Sequence, residues 1–181
     1  MSRQGHGSMI SVKKGSFARA GAFRLAGLFL ACFLFMPGCA TDRIGMDLIK
    51  YANQGLLGIA DLERSALDKY AFVTGTNYTT DKKMYNTLKQ EVIPRYRRFL
   101  DLLMEIRPET DEVRELNGIY IGGARELLRG FRAMMRGIEK QDKHLIREAN
   151  KRIKRAQEEI GKWRKEFYRL CADHGVGEKK E

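Results

Sequence analysis

The spacing of apolar residues between positions 42 and 175 narrows the fold more than any other feature. Four stretches carry such residues at intervals of three and four, the signature of a helix with one buried face. The first runs from Asp42 to Val73, with Ile44, Leu48, Tyr51, Gly55, Ile59, Leu62, Ala66 and Tyr70 on one side. The second, Asp81 to Ile106, carries Tyr85, Leu88, Val92, Tyr96, Phe99, Leu103 and Ile106. Val113, Leu116, Tyr120, Ala124, Leu127, Phe131, Met134 and Ile138 mark the third. The fourth shows Leu145, Ala149, Ile153, Ala156, Ile160, Trp163, Phe167 and Leu170, with steps of three and four alternating in a coiled-coil-like pattern. No run of alternating apolar and polar residues competes as a strand.

The residues between these stretches agree with that division. Thr74-Gly75-Thr76-Asn77-Tyr78-Thr79-Thr80 is loop chemistry, and Thr80 or Asp81 can cap the helix that follows. Arg107-Pro108-Glu109-Thr110 makes the next turn, and Lys140-Gln141 a very short one before Asp142, a cap for the fourth helix. Asp173-His174-Gly175 ends that helix at a glycine. Pro94 falls inside the second stretch, yet the apolar stripe continues in register across it, which predicts a kink and not a break. Helices of similar length, roughly 40–48 Å each at 1.5 Å per residue, joined by short connections, predict an all-α fold. The expected architecture is an up-down-up-down four-helix bundle of long antiparallel helices over 42–175, with a disordered tail at 176–181.

A different kind of sequence precedes the helices. Arg3, Lys13, Lys14, Arg19 and Arg24 make a basic start without an acidic residue, followed by the apolar run Leu25 to Met36 and by Pro37-Gly38-Cys39-Ala40. The run of about 12 residues falls short of the ~20 that cross a bilayer as a helix. Basic, apolar, small residue, cysteine is the order of an export signal. Met36-Pro37-Gly38-Cys39 resembles the lipobox of bacterial lipoproteins, although Met36 stands where Leu is usual and Pro37 is unusual at its place. Phe29-Leu30-Ala31-Cys32 has a similar shape, but processing there would leave an apolar FLFMPG start on the mature chain.

The resemblance covers residues 1–40. It implies a cleaved signal peptide at 1–38, lipidation of Cys39 and a short lipidated tether at 39–41. Its partner is then a membrane, reached through the lipid anchor, and two or more acyl chains hold a protein there stably where one does not. In bacteria with two membranes, an Asp after the cysteine retains a lipoprotein at the inner one. Ala40 and Thr41 follow here, which implies the periplasmic face of the outer membrane.

Five of the 34 basic residues and none of the 23 acidic ones precede Cys39, leaving 29 against 23, or +6, where the whole chain carries +11. The remaining length suits one domain with its own core. With Cys39 lipidated, Cys171 has no partner in its chain, so a disulfide framework is excluded. Cys171 is then either a half-buried thiol near a helix end or one half of an intermolecular disulfide.

Two stripes stand out on the third helix. Gly123, Gly130 and Gly137 are one heptad apart, and each glycine costs about 1 kcal/mol relative to alanine in a helix. Three on one face predict a close-packed seam, against a neighbouring helix of the bundle or against a partner helix. Arg125, Arg129, Arg132 and Arg136 share another face. They are either a solvated exterior or an interaction surface for an anionic envelope partner: lipid headgroups, cell-wall polymer or an acidic protein. Nucleic acid is not an expected partner, since no recognition motif is present.

His144 and His174 are the histidines of the mature chain and read as polar residues at helix ends. There is no Glu-x-x-His pair, no Cys-x-x-Cys-His and no Gly-x-Ser-x-Gly or phosphate loop. Neither a metal, nor a cofactor, nor catalysis is therefore expected. Tyr51, Tyr70, Tyr85, Tyr96 and Tyr120 lie on or beside apolar faces, where they can line a pocket or sit wetted at bundle edges. The expected function is a lipidated envelope protein acting as a non-enzymatic helical interaction or structural module. The alternative is a periplasmic bundle that binds a small apolar ligand among its tyrosines and methionines. A void of several hundred cubic ångströms separates the two.

Replacing the thiol tests the anchor. Cys39→Ser should leave the protein without acyl chains and released from membranes on fractionation; a variant that still sediments with membranes contradicts it.

Overall fold

The computed structural model describes residues 42–177. Cys39, the expected signal segment 1–38 and the expected tether 39–41 lie outside the described residues, as do 178–181. Every regular element among the described residues is helical: five helices and a short 3-10 turn at Gly75–Asn77, with no strand. Helix α1 is Arg43–Lys50 and runs on into a wide π turn, Tyr51–Leu56. Helix α2 is Ala60–Ala71. Helix α3 comprises Asp81–Thr87, a π segment Leu88–Val92, and Ile93–Leu103. Helices α4 and α5 are Asp111–Glu139 and Lys143–Asp173.

The single first helix expected from the apolar stripe is instead two. The Leu57 N–H donates to the Ala52 carbonyl at 3.0 Å, one residue further back than an α-helix allows, and the Ile59 N–H donates to Leu56 at 3.1 Å. The chain swings out at Leu57, which is 70% exposed, and restarts at Ala60. Gly55 marks the place, because the Ile106 side chain occupies the space where its Cβ would stand, 3.1 Å away.

In α3 the helix does pass through Pro94. Proline offers no N–H and its ring crowds the carbonyl four residues back. The chain answers with the π segment just before it, in which the Ile93 N–H donates to the Leu88 carbonyl. A one-residue expansion of this kind keeps the helix continuous where a strict α-helix would clash.

Helices α4 and α5 form a tight antiparallel hairpin. The Asp142 N–H donates to the Gly137 carbonyl at 2.9 Å and the Gln141 N–H to Ile138 at 3.0 Å, which closes α4 with Gln141 in the left-handed region at φ 54°. The Asp142 carboxylate then caps α5, accepting from the His144 and Leu145 N–H groups at 2.8 and 3.1 Å. Along the hairpin, Gly137 meets Ile146, Gly130 meets Ile153, and Gly123 meets Ile160. A Cβ on these glycines would stand 2.9, 2.6 and 2.8 Å from the respective isoleucine Cγ1. In the next layer of the same register, Tyr120 stacks on Trp163 with ring centroids 4.0 Å apart.

Two apolar clusters fill the interior. The larger joins α2 to α5 and contains Leu88, Tyr96, Phe99, Leu103 and Phe131, all shielded from solvent. The smaller lies under α1 and contains Leu48, Tyr51, Val113, Leu116 and Leu170. Asp47 fastens α1 over it. One carboxylate oxygen of Asp47 accepts from the Glu109 N–H (2.9 Å), the Thr110 N–H (2.8 Å) and the Thr110 hydroxyl (2.7 Å). Burial alone would push this carboxyl up; the three donors outweigh it and hold the pKa below the ordinary Asp value.

At the far end of α5, Gly175 at φ 60° turns the chain and the Val176 N–H donates to the Cys171 carbonyl at 2.8 Å. Val176 packs against the smaller cluster.

The glycine layers give a paired expectation. Gly130→Ala should destabilise by about 1–3 kcal/mol through overpacking against Ile153. Gly118→Ala, on the open side of the same helix with nothing within 4 Å, should stabilise by about 0.5–1 kcal/mol. Urea midpoints at unchanged slope measure both.

Candidate functional site

Helix α2 packs on α3, and α4 packs on α5. A cleft of about 520 Å3 is left between α2 and α5. Leu56, Ala60, Glu63 and Leu67 form one wall, Ile160, Trp163, Gln157 and Arg164 the other, and Phe99, Tyr120 and Leu127 the floor. The break between α1 and α2 puts Leu56 and Ala60 at the mouth, and the stacked layer in the hairpin puts Tyr120 and Trp163 at one end.

Glu63 is the chemical centre of this cleft. Its helix register places it among Ile59, Leu62, Ala66 and Leu67, on the apolar side of α2. The Tyr120 hydroxyl donates to Glu63 Oε2 at 2.6 Å. Burial pushes the Glu63 pKa above its ordinary 4.5, while the Tyr120 hydroxyl and the positive charge of Arg164 pull the other way without cancelling it. Burial likewise raises Tyr120 and Tyr96, and the nearby Glu63 charge adds to both.

Two buried polar atoms have no hydrogen-bond partner among the described residues: Tyr96 Oη and Trp163 Nε1. The Tyr51 hydroxyl neighbours Trp163 Nε1 without being aligned to bond it, and donates to Asn117 Oδ1 at 3.2 Å. An unmet buried polar group costs roughly 1–3 kcal/mol. Of the two, the Tyr96 hydroxyl is the one that feels the charge of the half-buried Glu63.

The other residues singled out in the sequence fall elsewhere. Gly123, Gly130 and Gly137 lie on the face of α4 that meets α5, and only Ile160, the partner of Gly123, reaches the cleft. The arginine stripe runs along the outer side of α4. Arg125 lies 2.9 Å from Met104 Sδ, and Arg129 pairs with Glu126 at 3.4 Å. Arg132 and Arg136 make no ion pair among the described residues. Cys171 is half-buried, and burial pushes its thiol up. His174 Nδ1 lies 3.0 Å from Asp42, the cap of α1, while His144 is exposed at the start of α5. Of the five tyrosines, Tyr120 lines the cleft and Tyr96 lies near its carboxyl; Tyr51, Tyr70 and Tyr85 do not line it.

Glu63, Trp163 and Arg164 were not singled out from sequence as a site. One signal was present: a glutamate at a core position of a helical stripe, with apolar residues one position before and three and four positions after it. Among the described residues no group of three or more His, Cys, Asp or Glu is placed to hold a metal, and no helix is long and apolar enough to cross a membrane. Comparison with protein-family models, curated proteins and solved structures finds no match to this chain.

The raised Glu63 pKa has a signed consequence. An acid whose pKa rises on folding opposes the folded state once pH exceeds its unfolded value. Glu63→Gln keeps an acceptor for Tyr120 and removes the charge. It should therefore stabilise at pH 7, with the gain vanishing as pH falls below the ordinary glutamate value of 4.5. Thermal melts across that range check it; a loss of stability at pH 7 contradicts it.

Proposed function

We propose that this chain is a lipid-anchored envelope protein whose helical domain binds a small, largely apolar ligand in the cleft between α2 and α5. In this reading α1 and α2 are one broken member of an up-down-up-down four-helix bundle, and lipidated Cys39 holds that bundle close to its membrane. The observation that carries the ligand is the cleft itself. Its volume lies in the usual range for small-molecule sites, and its walls are mostly apolar with a few convergent polar groups. A bundle that served only as a scaffold gains nothing from a half-buried carboxyl on the apolar side of α2.

The exposed arginine stripe supports a second reading on a separate surface. Arg125, Arg132 and Arg136 are not neutralised by ion pairs among the described residues, so this face suits an anionic envelope partner. Changing Arg125, Arg129, Arg132 and Arg136 to Glu should abolish partner capture from crosslinked envelopes while the helical circular dichroism is retained; unchanged capture removes this reading.

Trp163 is the single tryptophan of the chain and lines the cleft, which makes it a direct reporter. Titration with 1-octanol should change its fluorescence saturably. Ala60→Phe, which fills the mouth, should weaken that response at least about tenfold, equivalent to about 1.4 kcal/mol. A response that does not saturate, or that Ala60→Phe leaves unaltered, contradicts the ligand site.

A further inference from the structure

The polar groups in the cleft say which head group its ligand carries. Glu63 has one oxygen engaged by the Tyr120 hydroxyl at 2.6 Å, and Oε1 has no hydrogen-bond partner among the described residues. Around it stand Leu56, Leu67, Phe99 and Ile160, which offer the carboxyl neither charge nor hydrogen bonds. The charged and titratable groups facing it come from three helices: Tyr96 on α3, Tyr120 on α4 and Arg164 on α5. Both tyrosines are uncharged. Arg164 is exposed at the rim and makes no ion pair with Glu63. The carboxylate is thus left short of a counter-charge inside a partly desolvated cleft, an arrangement that is costly until a cation reaches it.

Candidate ligands differ in what they bring. A carboxylic acid would meet Glu63 as a like charge. An alcohol can donate one hydrogen bond and leaves the charge uncompensated. A protonated amine supplies the counter-charge and up to three donors, one of which suits the unengaged Glu63 Oε1.

We infer that the cleft selects an organic amine, its ammonium group against Glu63 and its alkyl or aryl body against Leu56, Leu67, Phe99 and Ile160. This rests on the reading of the cleft as a ligand site and assigns that site its ligand class. It also gives Glu63 a reason to be where it is, since the charge that weakens the empty domain is the charge that recognises the ligand.

The test compares two probes of matched length on the full mature chain at pH 7, n-octylamine and 1-octanol, both read by Trp163 fluorescence. The amine should bind at least tenfold more tightly. Glu63→Gln should erase that preference while octanol still binds saturably and circular dichroism shows the fold intact; this variant is expected to be more stable than the parent. Glu63→Asp should keep part of the preference. If octanol binds as tightly as the amine, or if Glu63→Gln keeps the amine preference, the amine assignment is overturned while the ligand site stands. If neither probe binds, the assignment and the ligand site both fall.

Discussion

The approach of α4 to α5 governs the rest of the molecule. Three isoleucines of α5 lie against three glycines of α4, with contacts that leave no room for a Cβ. Each glycine costs helix propensity, and close packing of the isoleucine against bare backbone returns it. The register so fixed runs on beyond the glycines. One layer further, large meets large, and Tyr120 and Trp163 accommodate each other by stacking flat. The hairpin therefore changes character at that layer, from small against large to aromatic against aromatic, and the cleft opens beside the change.

The remaining helices adapt to this hairpin. α3 crosses Pro94 through a π segment and keeps Tyr96 and Phe99 in the core, where both rings contact other aromatics. α2 packs on α3 and stands away from α5. α1 is turned aside by the π turn at Tyr51–Leu56 and covers the smaller cluster, fastened by Asp47 to the start of α4. Among the described residues, two buried side-chain polar atoms lack a partner, Tyr96 Oη and Trp163 Nε1. Local departures from good packing rules tend to mark functional sites, and here Trp163 lines the cleft and Tyr96 lies near its carboxyl.

Much of the architecture could be read from the residues, and the reasons for the misses are specific. The 3-4 spacing in α4 and α5 is long and unbroken, so helix type and extent follow from periodicity alone. The caps at Thr80 and Asp142 are side-chain chemistry visible in three or four letters. The break at Leu57 was hidden because Ile59, Leu62 and Ala66 keep an apparently continuous stripe. The neighbour that crowds Gly55, the Ile106 side chain, lies far off in the chain. The cleft was hidden for a similar reason. Its walls come from four helices, and periodicity says which side of a helix is buried but not which pair stands apart. Glu63 alone gave a local sign, as a charge placed in an apolar stripe.

The claim on which the functional account rests is that the space between α2 and α5 is a binding site. Native mass spectrometry of the protein purified in mild detergent from the cells that make it tests it most directly. The account predicts a small-molecule adduct on the parent chain, basic in character, that the Ala60→Phe chain lacks. Identical adduct-free spectra for the two chains would contradict it.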